Sequence, residues 1–384
     1  MTADKQEDGR VVELIHAIDN RLKKVHTQSL DLSFNELLDM HRSGELDISP
    51  EYQRLFQWSE GARSRFIESL LLEMPVPPIY VIEEQDGKYL LIDGLQRISS
   101  YLHLRGELEA AHLDPPIHKG EKLVLSDCDI VTELNGNTVD DLGTALQIRL
   151  KRAFVRVEVV RKGSDPAFKY YMFKRLNTGG QLLSSQQLRN CTIRLLNSEF
   201  NDFIIRLSKY PSFLSCTDNL TQDRRLSAFD QELVLRFFAF KNNKNNFKHD
   251  VDDFLTKYME SVSDPSIGLP FDYGKEESIF NKTFDVLAVA LGELAFAYAN
   301  KKVKAKMTKG FSVYHYEAFT VGIQDALESI DLNNEVQMQK VKDVLNEIKF
   351  DEEFIRITTG GGKNSPGPLT GRINFVQQKV LAAI

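Results

Sequence analysis

Cysteine is scarce. The three in this 384-residue chain, Cys128, Cys191 and Cys216, lie far apart and form neither a CxxC pair nor a Cys/His ligand spacing. That excludes a zinc finger or ribbon and a disulfide framework, and they read as reduced, buried thiols. Positive charge is not in excess. Lysine and arginine total 48 against 55 aspartates and glutamates, a net charge of −7, so any contact with nucleic acid has to be local rather than a coat of basic surface. Long apolar runs are missing too. Phe284 to Ala299 is the most apolar stretch, but Glu293 interrupts it and it falls short of the roughly 20 residues of a membrane span, so it reads as a buried helix. The opening MTADKQEDGR holds no apolar segment of a secretory or transit signal, which sets the expectation of a cytoplasmic protein.

With 42% hydrophobic and 27% charged residues the chain can bury a sizeable core, and its length favours two modules over one. Apolar residues at helical spacing predict two short helices between Val11 and His41, through Val12, Leu14, Ile15 and Ile18 and then Leu30, Leu32, Phe34, Leu37 and Leu38, with Ser33 as an N-cap. Ser59 opens a further helix over Arg63 to Glu73, stopped by Pro75, Pro77 and Pro78. IYVIEE and KYLLID, joined by Asp86-Gly87, predict a hairpin, and Leu95 to Leu104 a helix directly after it. Phe154 to Val160 alternates as a half-buried strand does, and a helix follows from Asp165 or Pro166 to Leu176. Beyond this the pattern is helical throughout, over Gln187–Lys209, Ser227–Phe240, Val251–Ser261, Lys275–Ala299, Tyr314–Ser329, Asn334–Phe350 and Ile373–Ile384. The change of pattern near residue 190 predicts an α+β domain over 1–190 and an all-helical domain over 191–384.

Three clusters could carry chemistry. Asp93-Gly94-Leu95-Gln96-Arg97 lies where a strand turns into a helix, a geometry that aims helix N-terminal N–H groups at an anion. Gly94 permits the sharp turn, Arg97 can fork onto phosphate oxygens, Gln96 can donate or accept a hydrogen bond, and Asp93 can hold a metal ion or orient a water. A plain turn followed by a solvated arginine fits the same residues. Gln53 and Arg54, close before Trp58, could face one pocket, or Tyr52, Phe56 and Trp58 could be ordinary core aromatics. Phe173-Lys174-Arg175-Leu176-Asn177-Thr178-Gly179-Gly180 is a helix stop that can also form an anion nest, with Lys174 or Arg175 supplying charge and Asn177 an amide.

Taken in order, Gln53, Arg54 and Trp58, then Ile92, Asp93, Gly94, Gln96 and Arg97, then Phe173, Asn177, Gly179, Gly180 and Leu183 resemble the N-terminal domain family of GmrSD-type, modification-dependent restriction endonucleases. The resemblance spans about Ser33 to Asn190. It implies a ParB/sulfiredoxin-like fold and a module that binds and hydrolyses nucleoside triphosphates with Mg²⁺ in a bacterial anti-phage system. Asp93, Gln96 and Arg97 would then be catalytic, with Asp93 on the metal. Gln53, Arg54, Gly94, Arg97, Lys174, Asn177, Gly179 and Gly180 would hold the nucleotide. The alternatives are a non-hydrolysing module that grips DNA or a protein, and a metal-dependent DNase. Leu95 stands where the family more often carries glutamine. No histidine–asparagine–histidine pattern of an HNH nuclease is legible around His249, His315 or the C-terminal segment, so a separate nuclease subunit is the expected partner.

Two basic segments could meet DNA phosphates. Arg149, Lys151 and Arg152, continuing to Arg156, Arg161 and Lys162, form the first, and Lys301 to Lys309 reads as a solvated face. Thr359-Gly360-Gly361-Gly362-Lys363-Asn364 departs from a Walker A loop in glycine spacing and in having Asn364 for the Ser/Thr, and it reads as a flexible loop whose Lys363, with Arg372, could face the nucleotide.

Overall fold

The structure is a computed structural model that describes residues 11–20, 25–48, 56, 58–84, 86–111, 113, 115–177, 184–194, 196–264, 266–299 and 307–384. The chain divides into two compact units, 1–182 and 183–384. The first is mixed α and β, built on one five-stranded sheet, and the second is helical apart from a two-stranded ribbon.

In the first unit, strands β1 (Thr27–Ser33), β2 (Leu46–Asp47), β3 (Ile79–Glu83), β4 (Tyr89–Asp93) and β5 (Phe154–Val160) lie in the order β1-β5-β3-β4-β2. The helices are α1 (Phe34–Ser43), α2 (Glu60–Leu71), α3 (Leu95–Leu104), α4 (Gly143–Arg152) and α5 (Pro166–Asn177). β3 and β4 form the expected hairpin, with Tyr80 opposite Asp93. β5 runs parallel to β3 and antiparallel to β1, so Asp93 ends its strand at the edge of the sheet where β3 and β5 begin. Val155, Val157 and Val159 alternate into the core, as the sequence predicts.

The helix expected through Leu30 and Leu32 is instead strand β1, paired with β5 as Leu30 to Val157 and Leu32 to Val155. Ser33 does cap a helix, accepting from the Glu36 N–H at 3.0 Å, but that helix begins at Phe34 and buries Phe34, Leu37 and Leu38. Residues 11–20 are helical, with Val12, Leu14, Ile15 and Ile18 exposed.

In the second unit the long helix expected over Gln187–Lys209 is two, Ser185–Ile193 and Glu199–Leu207. The one expected over Lys275–Ala299 is helix only over Tyr273–Leu291, because Gly292 turns to positive φ and the chain passes into a short strand, Tyr298–Ala299, paired with Met307–Thr308. The C-terminal helix starts earlier than its apolar period suggests, at Pro366, a residue suited to a first helical turn. The core is rich in rings: Phe237, Phe238, Phe280 and Phe284 pack with centroids 4.4–6.1 Å apart. Cys216 is buried there with its thiol pushed up to about 12, the inert thiol the sequence suggests. Among the described residues no helix is long and apolar enough to cross a membrane.

Candidate functional site

At the end of β4 the backbone turns into α3 through Gly94, which is left-handed at φ +109°. A Cβ there would stand 2.7 Å from Ile79 Cγ1, so both the dihedral and the space demand glycine. Asp93, with 40% of its side chain exposed, accepts from Arg97 Nη2 at 2.8 Å, one helical turn on. Arg97 also donates through Nη1 to the Pro77 carbonyl at 2.6 Å and is only 12% exposed. The guanidinium therefore fastens the strand end to the proline segment and orients the carboxylate.

Gln96, on the same turn, reaches across to another part of the chain. Its Oε1 accepts from the Trp58 backbone N–H at 3.1 Å. The Trp58 carbonyl in turn accepts from Arg63 Nε at 2.7 Å, and the indole stands edge-on to Phe66. The residue that closes the first sequence cluster is thus held by a side chain of the second. Arg63 is buried without a carboxylate partner among the described residues. Its Nη1 donates to His103 Nδ1 at 3.2 Å, and its guanidinium lies 4.8 Å from the Phe56 ring centre. Burial, together with the Arg63 charge, lowers the His103 pKa to about 4, which keeps the ring neutral and able to accept that bond. Sequence reasoning missed Arg63 and His103, since neither stands in a motif and only the fold brings them together.

Helix α5, which carries Lys174 and Asn177, packs against β4, the strand that ends in Asp93. The side chains of Lys174 and Asn177 lie outside the description, as do residues Gln53, Arg54, Gly179 and Gly180 altogether. Among the described residues no three His, Cys, Asp or Glu side chains cluster as a metal site.

The basic candidates sit in the last turn of α4. Arg149 donates to the Leu71 carbonyl at 3.1 Å and pairs with Glu73 at 3.3 Å, while Lys151 and Arg152 are exposed. Arg149 and Arg152 border a groove of about 900 Å³ that also takes in Arg156, Met74 and Phe154, the last 68% exposed. Asp31 engages Arg156 with two hydrogen bonds, which lower the pKa of its carboxyl. Arg152 has no carboxylate partner among the described residues. The groove runs along the Met74–Val76 segment, and Pro77, next in the chain, takes the bond from Arg97.

A mixed sheet whose hairpin ends in an Asp-Gly turn, with an interlocked arginine and glutamine on the next helix, defines this unit as an α+β module. Residues 34–194 match the family described as GmrSD restriction endonuclease, N-terminal domain. No curated protein and no solved structure matches the chain.

Proposed function

We propose that the N-terminal module, ParB/sulfiredoxin-like in fold, binds nucleoside triphosphates and hydrolyses them. On this reading it serves a bacterial restriction system together with DNA or a separate nuclease subunit. One observation carries the proposal: the Gln96–Trp58 hydrogen bond joins the first and second motifs at the strand end that displays Asp93. The packing of the helix bearing Lys174 and Asn177 on the same strand supports it further.

Asp93 keeps a half-exposed carboxylate, with one oxygen bound to Arg97. A lone carboxylate suits Mg²⁺, which commonly takes one or two protein carboxylates together with substrate phosphates, better than a metal needing an all-protein cage. When bound, the ion would neutralise charge on the phosphates. Arg97 holds Asp93 in place and, with Arg54, Gln53 and Lys174, meets phosphate oxygens, while Gly94, Asn177, Gly179 and Gly180 complete the nucleotide site on this reading. Catalysis would rest on positioning and charge stabilisation, with Asp93 orienting the attacking water and Gln96 fixing the loop before α2.

The test is release of inorganic phosphate from ATP, GTP, CTP and UTP with Mg²⁺, by the parent and by Asp93→Ala and Arg97→Ala, with and without DNA. Turnover is expected in the parent and to fall at least a hundredfold in both variants, with their circular dichroism unchanged. Equal hydrolysis by parent and variants would overturn the assignment.

The groove beside α4 favours a second reading, in which the module grips DNA without hydrolysing nucleotide. It calls for salt-dependent DNA binding that weakens when Arg149, Lys151 and Arg152 are neutralised together. Metal-dependent nicking lost with Asp93 would instead make the module a DNase.

A further inference from the structure

The helical unit carries an open pocket of about 440 Å³. That lies within the range of small-molecule sites, roughly 300–1,000 Å³. We infer that it is a second ligand site, shaped for a nucleotide: a planar heterocycle against aromatic side chains, with its phosphate at Arg224 and the glycine loop after Thr358. This goes beyond the triphosphate chemistry proposed at Asp93 and does not depend on it.

Tyr298, Phe311 and Tyr314 are among the residues that line the pocket. The Tyr298 ring comes close to Gly310, where a Cβ would stand 2.8 Å from its hydroxyl. Aromatic rings stack on any planar base. Two guanidiniums also border the pocket, and they are in different states. Arg236 is fully committed, bonded to Glu232 at 3.0 and 3.1 Å and to Glu317 at 2.8 Å. Arg224 is exposed, lies 4.9 Å from the Phe229 ring centre and has no carboxylate partner among the described residues. Its charge is available to an anion.

The loop completes the site. Thr359, Gly360 and Asn364 border the pocket, and Gly360 and Gly362 are left-handed at φ +95° and +75° with open space where their Cβ atoms would be. Glycines in this conformation turn backbone N–H groups toward a bound anion. One buried side chain holds loop and wall together. Arg372, 1% exposed, donates to the Lys363 carbonyl at 2.9 Å, lies 4.8 Å from the Tyr314 ring centre and pairs with Glu317, while its Nε has no partner. The site is thereby set before any ligand arrives. His315 borders the pocket as a neutral ring: its Nδ1 donates to the Ala297 carbonyl at 3.0 Å, its Nε2 stands 3.5 Å from Thr358 Oγ1, and burial lowers its pKa to about 3.

Calorimetric titration of the full chain with AMP, GMP, CMP, UMP, inorganic phosphate and a 5′-phosphorylated oligodeoxynucleotide tests the inference. At least one nucleoside monophosphate should bind the parent and Asp93→Ala alike, more tightly than inorganic phosphate, and at least tenfold more weakly to Arg224→Glu and to Phe311→Ala. Hydrogen exchange in the same mixtures should slow over residues 311–315 and 358–364. Oligonucleotide binding that is stronger than monophosphate binding, and equally sensitive to Arg224→Glu, would assign the site to a nucleic-acid end rather than a free nucleotide. Absence of binding by every probe, or binding abolished by Asp93→Ala and indifferent to Arg224→Glu, would overturn it.

Discussion

Gly94 shows how narrowly one position can be constrained. Alanine there would have to adopt φ +109° and press its methyl into Ile79. Strain of this kind costs on the order of 1–3 kcal/mol. Gly94→Ala should therefore lower the urea midpoint of the N-terminal unit, while alanine at Gly87, also left-handed but with nothing within 4 Å of its Cβ, should cost less. Equal midpoints for the two variants would show that the contact with Ile79 is relieved cheaply. Gln96 permits a sharper dissection. Gln96→Leu leaves the Trp58 N–H without its acceptor and should cost about 1 kcal/mol, whereas Gln96→Glu keeps an acceptor oxygen and should cost less. If both variants lose phosphate release equally, Gln96 acts on the ligand; if only leucine does, it acts by holding the loop.

At the scale of elements, what could be read in the sequence depended on whether a pattern is local. β5 announces itself because three valines alternate with charged residues, and α2 because Ser59 caps it, accepting from Ala62 at 3.3 Å. β1 does not, because its two leucines run on into the apolar residues of α1, and only pairing with a strand more than 120 residues away makes it a strand. The site divides the same way. The Asp93-Gly94 turn is visible as a strand–helix junction, but the bond from Trp58 to Gln96 and the Arg63–His103 pair exist only in three dimensions. The loop at Gly360 reads as a flexible connector in the sequence; in the structure it borders a pocket, pinned through Lys363 by Arg372.

Across the whole molecule each unit has its own buried charge, and this sets how stability responds to mutation and pH. In the helical unit Glu317, 1% exposed, serves both Arg236 and Arg372. Removing one partner of a buried ion pair typically costs about 3–5 kcal/mol, so Glu317→Gln should lower the thermal midpoint far more than Glu353→Gln, whose partner Arg356 is exposed. Lys349 is buried with its Nζ on the Leu294 carbonyl, and burial lowers its pKa from 10.5 to about 7. The folded unit then binds fewer protons than the unfolded chain between these values, so stability should rise with pH from about 7 to 9. Above 9 the Cys216 thiol, held up at about 12, works in the opposite direction. Lys349→Met should flatten the rise in the urea midpoint between pH 7 and 9, and an unchanged slope would assign it elsewhere. His103 and His315, lowered to about 4 and about 3, contribute stability that is complete above 6.5 and drains away as pH falls toward those values.

Trp58 is the sole tryptophan of the chain, and it sits with its backbone N–H on Gln96, its carbonyl on Arg63 and its ring against Phe66. Light absorbed at the red edge, where tyrosine is transparent, therefore excites one indole, on a residue whose backbone is hydrogen-bonded to Gln96 of α3. The protein carries its own fluorophore at the place where nucleotide is proposed to bind, so emission can follow arrival, turnover and release at that turn in real time without a label.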